Sequence, residues 1–182
     1  MKKKMAIAAT AIALVLCFAI GGTLAWLVDK TGPVVNTFTY GDINIELAET
    51  TTEYKMIPGN HIAKDPTVTV KANSEACWLF VKIEESTNKK FSDFMTYEVA
   101  DGWTALDGSA GVYYREVAAV TNDLAFEVLK NNQVTVKDTV TKQALNALTT
   151  ETYPKLTFTA YAVQKDGFDT AADAWTEASR NP

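Results

Sequence analysis

The side chains most able to do chemistry are few in this sequence. It contains one histidine, His61, and two cysteines, Cys17 and Cys77. A zinc protease needs two histidines one helical turn apart with a glutamate between them, and a Ser/His/Asp triad would have to use the same His61. Because His61 follows the turn signal Pro58-Gly59, we interpret it as a loop histidine. Neither enzyme class is indicated.

Cys77 and the acidic residues have simpler explanations than catalysis. Cys77 begins an apolar run and alternates with Leu79 and Val81, so burial is expected rather than a reactive thiol. Glu84 and Glu85 resemble the carboxylate pair of a glycosidase, but adjacent residues of a strand point to opposite faces. We therefore expect no catalytic residue, no metal ligand and no cofactor.

Three aromatic residues leave a binding function open. Trp103, Tyr113 and Tyr114 would suit a carbohydrate site, because aromatic rings combine a large apolar face with a polar edge. The core of a β-sandwich would also absorb them. Both interpretations stand at this point.

Alternating apolar and polar residues predict strands through most of the chain after residue 40. The clearest cases are residues 43–47, 67–72 and 156–162, and further strands are predicted over residues 112–117, 125–129 and 134–137. Residues 76–84 begin apolar on both faces, as in a central strand. Helical signal is confined to residues 142–148 and to a helix capped by Thr170 and Asp173. The pattern predicts an all-β fold, an antiparallel two-sheet β-sandwich of jelly-roll type with one or two short helices.

The first 25 residues have the layout of a secretory signal peptide. Lys2, Lys3 and Lys4 precede an uncharged run over residues 5–28. Thr23 and Ala25 supply the small residues at positions −3 and −1 that a signal peptidase recognises, so cleavage after Ala25 is expected. The run is also long enough to span a bilayer of about 30 Å, so a retained transmembrane anchor is the alternative.

The charge and size of the processed chain limit the classes of partner that it could bind. Loss of the three lysines would leave 14 basic residues against 22 acids, a formal charge of about −8 instead of −5. Such a chain is poorly suited to nucleic acid or to an anionic membrane surface. About 157 residues would remain, enough for one domain, and one cysteine cannot form an internal disulfide.

The N-terminal region resembles the TasA/camelysin family. The stretch GGTLAWLVDKTGPVVNTFTYGDINIELAE, residues 21–49, carries the family's pattern, with Leu24 where an aromatic residue is usual. A second stretch, IPGNHIAKDPTVTVKANSE at residues 57–75, is similar to the family's Pro-Gly turn followed by a strand. The matching N-terminal residues are Gly21, Gly22, Thr23, Ala25, Asp29, Asn36, Thr37, Phe38 and Gly41.

This resemblance implies a secreted protein of a Gram-positive bacterium, released by the dedicated signal peptidase SipW and folded as a jelly roll over residues 41–178, with a short tail at 179–182. Several family members form biofilm-matrix fibres. In those fibres the segment behind the signal, residues 26–40 here, completes the sheet of the next subunit. The expected donor-strand residues are Val34, Val35, Phe38 and Tyr40, and the expected hinge is Gly32 and Pro33.

Three functions follow as alternatives. The first is a fibre subunit whose main partner is a second copy of itself, with an accessory anchoring protein as a further possible partner. The second is a monomeric binding module for carbohydrate or a host protein. The third, a camelysin-type metalloprotease, lacks a zinc motif in this sequence. For residues 34–40, the alternative to donation is that the strand folds back into its own sheet.

Overall fold

The computed structural model describes residues 29–30, 37–38, 43–51, 55–87 and 90–180. None of the helices in these ranges is long and apolar enough to cross a membrane. The helices are α1 (Phe91–Phe94), α2 (Lys142–Asn146) and α3 (Ala171–Ala178), with a 3-10 turn at Lys130–Asn132. The strands are β1 (Asp29–Lys30), β2 (Thr37–Phe38), β3 (Ile43–Ala48), β4 (His61–Ala63), β5 (Thr67–Val70), β6 (Cys77–Glu85), β7 (Met95–Thr96), β8 (Thr104–Ala105), β9 (Val112–Val117), β10 (Leu124–Glu127), β11 (Gln133–Val136) and β12 (Leu156–Gln164).

The described strands form three antiparallel sheets. A five-stranded sheet has the order β1-β12-β6-β9-β8, and a four-stranded sheet has the order β10-β5-β3-β2. A smaller sheet has the order β4-β11-β7. The predicted all-β fold with few, short helices is confirmed. The expectation of two sheets is incomplete. The strand predicted at residues 134–137 forms β11 of a third sheet, and its partners β4 and β7 have only three and two residues, too few for a period to show.

The two larger sheets pack face to face. β12 lies against β3, and at the other end of the sheets the Arg115 side chain of β9 lies on the Phe126 ring of β10. The sandwich therefore has two lateral sides. One carries the two N-terminal strands β1 and β2, and the other carries β8, β9 and β10.

The main core fills the space enclosed by the three sheets. Each sheet turns its apolar positions inward at a period of two, as an antiparallel sheet with one covered face requires. The fully buried side chains include Val68 and Val70 of β5, Leu79 and Val81 of β6, and Val136 of β11. Burial of one such side chain stabilises the fold by roughly 1.5–3 kcal/mol.

The five-stranded sheet is buried on its outer face as well. There the side chains of Trp78, Phe80 and Tyr161 pack against α3, and the Trp175 ring of α3 lies 5.3 Å from Phe80 and 5.1 Å from Tyr161. The predicted helix cap is confirmed, because the backbone N–H of Asp173 donates to the Thr170 hydroxyl. Helix α3 explains why residues 76–84 are apolar on both faces.

Candidate strand-acceptor edge

Both N-terminal strands lie on the same lateral side of the sandwich. β1 pairs antiparallel with β12, and β2 pairs antiparallel with β3. Because β12 and β3 pack against each other, the two short strands cover neighbouring edges of the two sheets. We call this side the N-terminal edge.

The described pairing of β12 is longer on one side than on the other. On one side all nine of its residues pair with β6. On the other side, the ladder with β1 includes Tyr161 and Ala162. Within the described part of the chain, residues 156–159 have no strand partner on that outer side. The segment that follows Lys30 would continue along residues 156–160 of β12 if it kept the register of β1.

β3 shows the same asymmetry in the facing sheet. Residues 45–48 pair with β5, whereas β2 pairs with Ile43 and Asn44. No described strand continues that ladder along residues 45–48. Among the described residues, the N-terminal edge thus consists of two longer strands, each paired over two residues with a segment from the chain's N-terminal region.

An ion pair links the two sheets beside this edge. The Lys64 ammonium lies 2.5 Å from a carboxylate oxygen of Glu49, just after β3, and 5.3 Å from the centre of the Phe158 ring of β12. Lys64 is 7% exposed. A charge held at this depth needs its partner, because an unpaired buried charge is costly. Glu49 therefore stabilises the Lys64 ammonium beside β12.

The predicted donor strand is described in part. Thr37 and Phe38 form β2, in which Phe38 lies opposite Ile43 of the same chain. These two residues are thus folded back onto their own sheet, which was the alternative to donation. The other predicted site residues, namely Thr23, Ala25, Gly32, Pro33, Val34, Val35 and Tyr40, lie outside the described residues.

Cys77 and His61, the two side chains considered for catalysis, both lie in β-strands. Cys77 is fully buried, as predicted, and burial raises the pKa of its thiol to about 12, so it is protonated at neutral pH. The prediction that His61 lies in a loop is wrong. The histidine lies on β4 opposite Thr135, whose hydroxyl is 2.8 Å from His61 Nδ1. The described residues contain no group of three His, Cys, Asp or Glu side chains placed to hold a metal ion.

The three aromatic residues considered for carbohydrate binding do not form one surface. Tyr113 packs against the main core, and Tyr114 packs on the opposite face of the five-stranded sheet. Trp103 lies beside Phe126, with ring centres 6.5 Å apart. The core interpretation therefore holds for Tyr113 and Tyr114, which point to opposite faces because they are neighbours on β9.

Sequence reasoning missed the residues that form the N-terminal edge. The acceptor strand β12 was predicted, but its pairing with β1 joins the two ends of the chain, which periodicity does not report. Lys64 carries no signal either, since a lysine beside a strand usually faces solvent.

Comparisons of the chain with protein-family models, with curated proteins and with solved structures give no match. The resemblance to the TasA/camelysin family therefore rests on the stretches at residues 21–49 and 57–75.

Proposed function

We propose that the chain is a secreted structural protein, a subunit of extracellular biofilm-matrix fibres that grow by donation of the N-terminal strand. The observation that carries the proposal is the N-terminal edge. There, in the described part of the chain, β1 pairs with two residues of β12 and β2 with two residues of β3. These are the segments that a neighbouring copy would replace with its own. In this proposal the chain has no catalytic role and needs no cofactor.

An exchange between copies would conserve the pairing that β1 and β2 make. A hydrogen bond contributes a net of about 1 kcal/mol, so the described part of either ladder is worth only a few kcal/mol. The same pairs reform when a second copy supplies the strand, because the sequence and the register are unchanged. The balance between the folded-back and the donated state is then set by the concentration of the protein.

The contact is head-to-tail, so its repetition gives an open filament rather than a closed ring. Each copy would donate residues 26–40 and accept the same segment at β12 and β3.

Cleavage of the signal peptide during export would regulate strand donation. While residues 1–25 remain attached, the segment behind them is tethered at the membrane and its donation is restricted. Cleavage after Ala25 would release Trp26 as the new N-terminus. A TasA/camelysin-type protein secreted through SipW by a Gram-positive bacterium, with a jelly-roll sandwich over residues 41–178, fits this sequence of events.

The deletion of residues 26–40 tests the proposal. A chain of residues 26–182 is expected to form filaments at micromolar concentration, and a chain of residues 41–182 is expected to stay monomeric because it has no strand to donate. Light scattering over time and negative-stain microscopy measure both. Unfolding curves of the two chains establish that each is folded. Filaments from both chains, or from neither, would contradict strand donation.

A further inference from the structure

A groove lies on the lateral side opposite the N-terminal edge, between β9 and β10. It has a volume of about 370 Å³, near the lower end of the roughly 300–1,000 Å³ typical of small-ligand pockets. Its polar lining residues are Asp101, Arg115, Glu127, Lys130 and Asn131, and the Phe126 ring forms part of its wall. We call it the Arg115 groove.

The guanidinium of Arg115 is held in a fixed position. Its central carbon lies 3.9 Å from the centre of the Phe126 ring and 5.3 Å from that of Trp103. Gly102 approaches so closely that a Cβ atom there would lie 2.8 Å from Arg115 Nη2. The Trp103 indole N–H donates to the carbonyl of Glu127 at 2.8 Å, which fixes the ring. Such packing orders a guanidinium before any ligand arrives.

Arg115 and Lys130, the two cations of the groove, differ in their partners. Within the residues that the structure describes, no carboxylate forms an ion pair with Arg115 and no side chain or carbonyl accepts a hydrogen bond from it. By contrast, the other cation of the groove, Lys130, is paired with Glu98 at 3.0 Å. Burial lowers the pKa of Arg115, but an arginine keeps its charge in proteins. The groove thus contains an ordered guanidinium with donors available for a bidentate acceptor.

The remaining lining restricts the chemistry of that acceptor. Asp101 and Glu127 would repel a doubly charged group such as a phosphomonoester, yet their carboxylates and the Asn131 amide accept hydrogen bonds from hydroxyl groups. A ligand with one carboxylate and several hydroxyls meets both conditions. We propose that the Arg115 groove binds the uronic acid residues of an acidic polysaccharide, with the carboxylate on Arg115 and the sugar hydroxyls on Asp101, Glu127 and Asn131.

Two further features agree with a specific site. The chain has a net charge of −5, so general electrostatic attraction would not bring a polyanion to it. The groove also lies away from β1 and β2, so exchange of the N-terminal strands would leave it open. The proposal does not depend on fibre formation, and a monomer would bind equally well.

The test uses the full chain of 182 residues in a non-ionic detergent, titrated calorimetrically with polygalacturonate, dextran or polyglutamate. Polygalacturonate is expected to bind, and dextran and polyglutamate are not. Arg115→Gln is expected to lower the association constant at least tenfold. Arg115→Lys, which keeps the charge but not the bidentate geometry, is expected to lower it about fivefold.

The matched control is Lys165→Gln. Lys165 also lies over an aromatic ring, Trp78 at 5.9 Å, but it is already paired with Glu116.

The thermal unfolding midpoint of each variant shows that it is folded, and a rise of that midpoint with polygalacturonate is a second measure of binding. The rise is expected for the wild-type chain and for Lys165→Gln, and it should be lost with Arg115→Gln. Absence of polygalacturonate binding, or equal binding by Arg115→Gln, would overturn the proposal. Equally tight binding of polyglutamate would also overturn it, because the site would then be one for acidic peptides.

Discussion

A disulfide between residues 37 and 44 is expected to abolish filament growth. Thr37 of β2 lies opposite Asn44 of β3. The Asn44 carbonyl accepts from the Lys71 N–H and its own N–H donates to Ser74 Oγ, both on the β5 side. The pair is therefore of the non-hydrogen-bonded kind, with Cα atoms about 4.5 Å apart, a separation that a disulfide accepts.

In Thr37→Cys/Asn44→Cys the oxidised bond would hold the predicted donor strand in its own sheet. Oxidised residues 26–182 should remain monomeric in light scattering, and reduction of the same sample should restore growth. Cys77 should not interfere, because its thiol is buried and protonated. Growth of the oxidised double variant at the wild-type rate would show that this strand is not donated.

The control places the same kind of bond in the third sheet. Ala63 of β4 lies opposite Gln133 of β11. The adjacent hydrogen bond from Lys64 N–H to the Asn132 carbonyl indicates that this pair too is of the non-hydrogen-bonded kind. Ala63→Cys/Gln133→Cys should grow filaments whether oxidised or reduced, since this sheet gives no strand away.

Phe80→Ala is expected to lower the free energy of unfolding by about 3–5 kcal/mol. Phe80 is fully buried on the outer face of β6, between Tyr114 and Trp175 of α3, so its loss leaves a cavity beneath the helix. Since single domains are stable by only about 5–15 kcal/mol, this is a large fraction of the total. Urea denaturation followed by tryptophan fluorescence measures the change.

Tyr153→Ala provides the comparison for Phe80→Ala. Tyr153 is an aromatic residue that is 47% exposed, so its substitution should change the free energy of unfolding by no more than about 0.5 kcal/mol. Similar losses from the two substitutions would contradict the assignment of the second core beneath α3.

The longer strands could be predicted because their residues alternate over several positions. Residues 112–117 were predicted as a strand and form β9 with the same bounds. Residues 76–84 were predicted as a central strand, and β6 is paired on both sides and buried on both faces. Helix α3 could be predicted from the spacing of Ala171, Ala174 and Ala178 after the Thr170 cap.

The shorter elements could not be predicted for the opposite reason. β7 and β8 have two residues each, too few for a period to show. Helix α1 has four residues and no side-chain cap, so it lacks the start signal that identified α3. His61 was misplaced because its preceding turn was visible, whereas its pairing with Thr135, far along the chain, was not.

The candidate sites depend on long-range pairing even more strongly. Phe38 could be predicted as part of a strand, but the sequence did not show which strand it pairs with. Arg115 was not singled out, because one arginine in a strand ordinarily faces solvent. Its contact with an aromatic ring forms only in the folded chain, where Phe126 of β10 lies against Arg115 of β9. Local periodicity reports which face of a strand is apolar, but not which neighbour covers it.

The most direct measurement of strand donation asks whether residue 37 of one copy lies opposite residue 44 of another. Chains of residues 26–182 carrying Thr37→Cys alone and Asn44→Cys alone are mixed, allowed to form filaments and then oxidised. A non-reducing gel is expected to show a disulfide-linked dimer of the two variants, which neither variant gives alone. Filaments that yield no such dimer in the mixture would contradict strand donation between copies.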